Sequence, residues 1–278
     1  MVRSIAHLGP AGTYAEVAAL TYADWLRQEK GQESVLHPYP SIPKTLRAVV
    51  QAETDLAVVP VENSIEGSVT TTLDTLWQLD TLQIQHALVL PIVHALLSCA
   101  DRLEPIQTVY SHPQALAQCQ GWIEQFLPAA QVIPTNSTTE ALVHLENDPT
   151  GGAIASQRAA QIYNLPILAS PINDHPDNCT RFWILSLQPS PGGSQTSLAF
   201  SLHDVPGALV KPLQVFASRT INLSKIESRP TKRSLGDYLF FVDLEADLRQ
   251  PTVQATLQEL TFHTETLKIF GSYDILPE

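Results

Sequence analysis

Three features of the sequence predict an α/β fold in more than one unit. Apolar strand patterns alternate with helical ones from residue 4 to residue 163, a stretch rich in Pro, Gly and Ser runs from 188 to 196, and a βαββαβ succession occupies 197–274. The alternation argues for parallel α/β layers, the Pro/Gly/Ser stretch for a linker, and the βαββαβ succession for a ferredoxin-like unit. With 278 residues and 44% hydrophobic content, the chain is long enough for one large domain or two ordinary ones.

Each element has its own signal. "SIAHLG" (4–9) is a strand, and "GPAGTYAE" turns into a helix on a T-x-x-E capping box, Thr13 with Glu16. Ala15, Ala18, Tyr22 and Leu26 follow at helical spacing. Ser41 and Pro43 open a second helix with Leu46 inward. "DLAVVPV" (55–61) is a strand, and "ENSIEGSVTTTLDTLWQL" (62–79) is a loop entering a helix. "LQIQHALVLPIVHALLSC" (82–99) is the longest apolar region. Gln83, Gln85, His86, Pro91 and His94 within it favour two consecutive buried strands over a membrane span.

Strands at 106–110, 131–135 and 152–155 then alternate with helices at 111–126, 137–147 and 156–163. Ser111 and Gln114 cap the first of these helices, and Ser137 with Glu140 forms a capping box on the second. "TRFWIL" (180–185) reads as a strand that returns the chain to the first layer. Beyond the linker, "SLAFSL" alternates with period two. A helix over "VPGALVKPLQVFAS", two strands, a helix and a last strand complete the unit.

The formal net charge of −12 and only 16 Lys plus Arg make nucleic acid a poor partner, since phosphate neutralisation needs a basic face. A small anion needs only a few local donors. Three cysteines, none in a CxxC pair, suggest neither a disulfide framework nor a zinc site. The histidines show no metal-ligand spacing. "MVRSIAHLGPAG" lacks a signal-peptide apolar core, so a cytoplasmic location is expected.

Four segments share one design, in which a polar or Gly-rich loop leaves a strand and starts a helix: "GPAGT" (9–13), "ENSIEGS" (62–68), "SHPQ" (111–114) and "SQR" (156–158). In parallel layers such loops gather at the carboxyl ends of the strands, and helix starts present free N–H groups to anions. Any one of them is an ordinary capping motif. "GPAGT" lacks GxGxxG spacing and a Walker Lys, so nucleotide binding is not indicated. Capping accounts for one of Glu62, Asn63 and Ser64, not all three.

Asn178, Thr180 and Arg181 crowd before the apolar run of "NDHPDNCTRFWILS" (173–186). Polar groups at the edge of a core require partners. Arg offers a two-pronged carboxylate donor, and Thr a hydroxyl that donates one hydrogen bond while accepting another. The alternative is a turn cap plus a surface ion pair.

"LGPAGTYAE", "VVPVENSIEGSV", "SHPQALAQC" and "NCTRFWIL", in that order over residues 1–187, resemble the signatures of the prephenate dehydratase family. "GALVKPL" (207–213) and "ESRP" (227–230) resemble those of its regulatory ACT domain. Ala15 departs from the Ser or Thr often found in "GTYSE", and Pro212 lies inside the ACT helix. The resemblance implies a catalytic domain over 1–187, with two lobes around a cleft as in periplasmic binding proteins. Lobe one would hold 1–79 and 172–187, and lobe two 80–171. A linker (188–196) and an ACT domain (197–274) would follow.

The implied reaction takes prephenate to phenylpyruvate, water and carbon dioxide in phenylalanine biosynthesis. The ring gains aromaticity as it loses a carboxylate and a hydroxyl, so no cofactor and no metal are expected. The family's essential Thr maps to Thr180, expected to bond the departing oxygen with Arg181 and Asn178 as catalytic neighbours. Gly12, Thr13, Tyr14, Glu62, Asn63, Ser64, Ser111, His112 and Gln114 are the expected substrate contacts. Arg181 and the amides at 12–14 and 112–114 are candidates for the two carboxylates, and Glu62 for orienting Asn63, Arg181 or a water.

L-Phenylalanine is the expected effector, between ACT domains paired in a homodimer or homotetramer. Its site would draw on Gly207, Ala208, Leu209, Leu213, Asn222, Leu223, Glu227, Ser228, Arg229 and Pro230. A cut near Ser190 is expected to abolish inhibition and spare basal turnover. Arogenate as substrate, or a non-catalytic amino-acid sensor, are the other readings. No nucleic-acid or membrane partner is expected.

Overall fold

Ile5 and Ala6 are neighbours in sequence, both wholly inaccessible, and they pack into different cores. That is the period of a strand covered on both faces. In the computed structural model, which describes residues 2–146, 148–232 and 236–277, this strand is β1 (Arg3–Leu8). Helix α1 (Tyr14–Lys30) covers one face with Ala15, Ala18, Ala19, Tyr22 and Leu26, and α2 (Ile42–Val50) covers the other with Leu46 and Val49. Thr13 caps α1 by accepting from the Glu16 amide, and Glu16 accepts in turn from Gly12 N–H. Between the two helices runs β2 (Ser34–Tyr39), for which the sequence reading has no element. It lies at the sheet edge, where its Pro38 is tolerated.

β3 (Leu56–Asn63), the two-residue β4 (Gly67–Ser68), α3 (Thr70–Gln78) and β5 (Gln83–Pro91) complete the first pass through this lobe. The second lobe holds β6 (His94–Leu97), β7 (Thr108–Ser111), α4 (Pro113–Ala117), α5 (Gln120–Phe126), β8 (Gln131–Pro134), β9 (Gly151–Ser156), α6 (Gln157–Tyr163) and β10 (Ile167–Ala169). β11 (Cys179–Ser186) returns to the first lobe between β5 and β3. The C-terminal unit is β12 (Gln195–Ser201), α7 (Val210–Ala217), β13 (Leu223–Pro230), β14 (Tyr238–Leu244), α8 (Pro251–Leu260) and β15 (Thr266–Ile275), the expected βαββαβ succession. Pro212 falls in the first turn of α7, where its missing N–H breaks no helical bond.

Among the described residues the strands form two sheets. A ten-stranded sheet runs β13-β14-β12-β15-β5-β11-β3-β1-β2, with β4 on β3, and a five-stranded sheet runs β10-β6-β9-β7-β8. The strands around β1 are parallel, as expected. β11 is antiparallel to both β3 and β5, because it enters from the second lobe. The 82–99 region is indeed two strands, and no helix among the described residues is long and apolar enough to cross a membrane. β5, however, pairs along β11 in the first sheet. The chain therefore crosses to the second lobe at Ile92–Val93 and not at residue 80, where the sequence reading draws the boundary.

Asn173 ties the two crossings together. It accepts from His94 N–H at 2.7 Å and donates to Ile92 O at 2.8 Å. The linker is short, and the C-terminal unit is docked against the first lobe. Phe241, Phe270 and Tyr273 share one core with Leu46, Leu76, Leu82 and Trp183. Each such side chain contributes roughly 1.5–3 kcal/mol by leaving water. β15 also pairs with β5 through Asp274–His86 and Ile275–Ala87.

Candidate active site

A cleft of about 580 Å³ separates the lobes. Its walls include Thr13 and Tyr14 at the start of α1, Asn63 at the end of β3, Thr180 and Phe182 on β11, and His94, His112, Gln114, Gln118 and Ser137 from the second lobe. Among the described residues lining it there is no Lys, Arg, Asp or Glu. An anion entering this space would meet hydroxyls, amides and helix-start N–H groups, not a cation. The Tyr14 and Ala15 amides lie in the first turn of α1, where no intrahelical acceptor exists.

One chain of hydrogen bonds crosses the back of the cleft, and its polarity can be read from a backbone anchor. Ile65 and Glu66 both donate their N–H groups to Asn63 Oδ1 at 3.0 Å. Asn63 Nδ2 therefore faces the other way, donating to Asn178 Oδ1 at 2.8 Å and to Thr180 Oγ1 at 2.9 Å. Asn178 Nδ2 then donates to Gln118 Oε1 at 2.9 Å. His94 Nε2 shares that acceptor at 2.9 Å, which fixes the proton on Nε2. Burial lowers the pKa of His94, against the raising effect of its Gln118 bond, so the ring is neutral near pH 7.

Two donors remain unspent in this arrangement. Gln118 Nε2 is buried and has no acceptor among the described residues. The Thr180 hydroxyl accepts from Asn63, and no acceptor for its own proton is found among the described residues. Both residues line the cleft. A buried, unspent donor costs on the order of 1–3 kcal/mol, so each is positioned for a group that can accept.

The sequence-predicted residues divide. Thr13, Tyr14, Asn63, His112, Gln114 and Thr180 line the cleft. Asn178 is 1% exposed and sits behind it, linking Asn63 to Gln118. Ser64 supports the return strand by accepting from Cys179 N–H at 3.0 Å. Ser111 does not reach the cleft and does not cap the next helix. Its hydroxyl donates to Ile154 O at 2.6 Å, and His112 is the cap, accepting from Gln114 N–H. Gly12 is a seam between lobes, where Ser156 Oγ donates to its carbonyl at 2.7 Å. Tyr14 OH donates to Val93 O at 2.6 Å, at the crossing.

Arg181 and Glu62 point the other way. Strand alternation puts Thr180 in the cleft and Arg181 on the opposite face, beside Asp243 of β14 at 3.1 Å and Glu62 at 3.6 Å. Neither is among the cleft-lining residues, so the sequence reading of Arg181 as a carboxylate donor does not hold for this arrangement.

Sequence reasoning missed Gln118 and His94. The expected helix 111–126 breaks between α4 and α5, and Gln118 sits at that break. A glutamine between the buried Ala115 and Cys119 was the available signal. The expected 137–147 helix is a 3₁₀ turn over Glu140–Glu146, and its last residue, Asn147, lies outside the described residues.

In the C-terminal unit Gly207, Ala208 and Leu209 line a pocket of about 250 Å³ with Tyr238 and Phe240. Leu213, Asn222 and Leu223 are not part of it, and Asn222 bonds Glu245. Glu227 and Arg229 turn to the first lobe, accepting from Ser68 and pairing with Asp74, while Ser228 and Pro230 are exposed on the other face of β13.

The sequence matches the family model described as prephenate dehydratase over residues 5–190 and the one described as ACT domain over 196–262. It is 43% identical over 272 residues to a bifunctional chorismate mutase/prephenate dehydratase of Aquifex aeolicus, across 97% of this chain and 73% of that protein. It is 35% identical to a prephenate dehydratase of Lactococcus lactis, across 98% of this chain and 97% of that protein. The fold is similar to that of a prephenate dehydratase from Arthrobacter aurescens solved in complex with L-Phe. The TM-score is 0.84 at 33% identity, over 98% of this chain and 90% of that one.

Proposed function

Since this chain belongs to the prephenate dehydratase family, a family of hydro-lyases, and carries a C-terminal ACT domain, we propose that prephenate binds in the cleft between its lobes with Thr180 at the departing oxygen. The reaction breaks two bonds. The C4–oxygen bond gives its pair to the oxygen, which leaves as water after gaining a proton. The bond to the ring carboxylate gives its pair to the ring, and carbon dioxide leaves.

The observation that carries the reading is the unspent proton on Thr180. Asn63 occupies its lone pair at 2.9 Å, so the hydroxyl is oriented to donate. That donor strengthens its bond as negative charge develops on the leaving oxygen, a contribution typically worth about 10²–10³ in rate. An alcohol is a weak acid, so the proton is delivered by a neighbour or a water. Gln118 Nε2 supplies the second preset donor. The absence of a cation from the described cleft lining suits decarboxylation, because a firm grip on the ring carboxylate would stabilise the ground state.

The amides at the start of α1 and the Ser137 and Gln114 side chains are the candidate holds for the pyruvyl side chain, while the Thr13 hydroxyl is spent on the backbone as the cap of α1. Asn178 and Ser64 act from behind, on Asn63 and on the return strand. We place the L-phenylalanine site in the ACT domain, at the pocket of Gly207, Ala208 and Leu209, completed by a second copy in a homodimer or homotetramer. The Arthrobacter aurescens relative was solved with L-Phe, which supports that ligand class. A cytoplasmic location agrees with three free cysteines.

The test is turnover of prephenate to phenylpyruvate by Thr180→Ala and Thr180→Ser. The alanine variant is expected to fall by at least the roughly hundredfold of a lost donor, and the serine variant to keep most of the rate. An alanine variant within threefold of the parent would remove Thr180 from the mechanism.

A further inference from the structure

The same two strands that build the cleft also build, one position along, a contact with the ACT domain. In the β3–β11 ladder Asn63 stands opposite Thr180, and Glu62 stands opposite Arg181. Alternation sends the first pair into the cleft and the second through to the other face. There Arg181 Nη1 donates to Asp243 Oδ2 at 3.1 Å, and its Nη2 lies 3.6 Å from Glu62 Oε2. Lys225 of β13 closes the group at 3.2 Å from Glu62. Asp243 is held from behind by Ser197 Oγ, which donates to Oδ1 at 2.5 Å. The Asp243 side chain is only 6% exposed, so its end of the pair is shielded from solvent, while Arg181 is 26% exposed. The register of the ladder shifts between Arg181 and Phe182, immediately beyond the contact. A bulge there is a place where a strand can be re-aimed by small forces on its side chains.

We propose that Asp243, a residue of the ACT domain, is a positioning residue for the reaction: through Arg181 and Glu62 it sets the twist of β11 against β3 and so the aim of the Thr180 hydroxyl. The inference rests on the reading of Thr180 as the donor. Arg181 has a planar fork whose two nitrogens are engaged by carboxylates from two domains. If Asp243 no longer holds one prong, the remaining attraction is to Glu62 alone, which already has Lys225. Arg181 and the backbone it shares with Thr180 then shift. Such a displacement leaves the other cleft donors in place and degrades only the alignment of the Thr180 hydroxyl. A misplacement of about 1 Å can cost about a hundredfold in rate. The regulatory domain thereby has a physical handle on turnover without touching substrate.

The experiment is steady-state kinetics of the full-length chain with Asp243→Asn, Arg181→Gln and the double variant, alongside thermal unfolding. The Asn side chain keeps the shape and the Ser197 contact but removes the charge. The expected result is a kcat about tenfold lower with KM within threefold, and a double variant no slower than the slower single one. A folded Asp243→Asn with parental kcat, or a double variant whose losses multiply, overturns the inference and leaves an ordinary interdomain ion pair. Should Asp243→Asn not fold, Ser197→Ala is measured instead. It frees one carboxylate oxygen and is expected to lower kcat about threefold at unchanged KM, and parental kcat there counts against the inference equally. A near-parental Thr180→Ala would instead sink the site reading itself, whereas an inactive Thr180→Ala with a kinetically silent Asp243→Asn removes only the coupling.

Discussion

Asn63 Nδ2 donates to Thr180 Oγ1 across 2.9 Å, and the orientation of that amide is dictated by two backbone N–H groups at Ile65 and Glu66. The "ENSIEGS" turn thus selects which end of Asn63 faces the threonine, and the threonine is left with a proton to give.

Asn63→Asp should therefore invert the bond. A carboxylate oxygen would accept the Thr180 proton instead of donating to its oxygen, and the hydroxyl would turn from the leaving group. The formation of phenylpyruvate should slow by on the order of 10²–10³, with substrate binding reduced much less. Near-parental kcat in the Asn63→Asp variant would show that Thr180 does not depend on this amide.

Gly12→Ala should weaken the seam between lobes. Gly12 has φ of +88°, and a Cβ there would lie 3.0 Å from Thr139 Cγ2 and 3.1 Å from Ala159. Left-handed backbone is costly for alanine, and the contact adds to it, so a loss of roughly 1–3 kcal/mol is expected. The midpoint of urea unfolding measures it.

Stability should fall as the solution is acidified below neutrality, in part through His86. Burial chiefly, with Lys30 adding and Asp274 opposing, lowers its pKa from 6.5 to about 4. In the unfolded chain the ring takes up a proton near pH 6.5, while in the fold it does so only near pH 4. Between those values the unfolded state binds more protons, so stability declines as pH drops through that window and levels off below it. His86→Gln keeps an acceptor for Tyr22, which bonds the ring at 3.1 Å. It should flatten the pH dependence of the unfolding midpoint between pH 6.5 and 4.

A fragment ending at Ser190 should be insensitive to phenylalanine, and retained inhibition would displace the effector site from the ACT domain. Its turnover is not expected to equal that of the full chain. Trp183, Leu82 and Leu76 would lose Phe241, Phe270 and Tyr273 as neighbours, and Arg181 would lose Asp243. The fragment should unfold at lower denaturant and turn over no faster than Asp243→Asn.

Much of this was legible in the sequence because local rules were obeyed. Thr13 caps α1 as its T-x-x-E spacing predicts, Ser41 caps the helix it was expected to open, and the βαββαβ unit appears in full. Thr180 and Asn63 were identifiable as polar residues at the edge of apolar strands. The misreadings came from properties that single segments do not carry. The face on which Arg181 lies depends on which neighbour covers each side of β11. Ser111 found a carbonyl on β9, a strand far along the chain. Gln118 owes its place to a helix break that helical periodicity cannot reveal. β5 looked like the first strand of a new lobe because its apolarity matches that of β6, and only pairing with β11 assigns it.

The short ladder between β15 and β5 has a consequence for how the protein behaves in a crowded solution. Without it, one side of β5 would present free N–H and C=O groups around His86 and Ala87, an invitation to strand addition by another molecule. The last strand of the chain occupies that margin, so the C-terminal domain also closes an edge that the first lobe would otherwise leave open to strand addition.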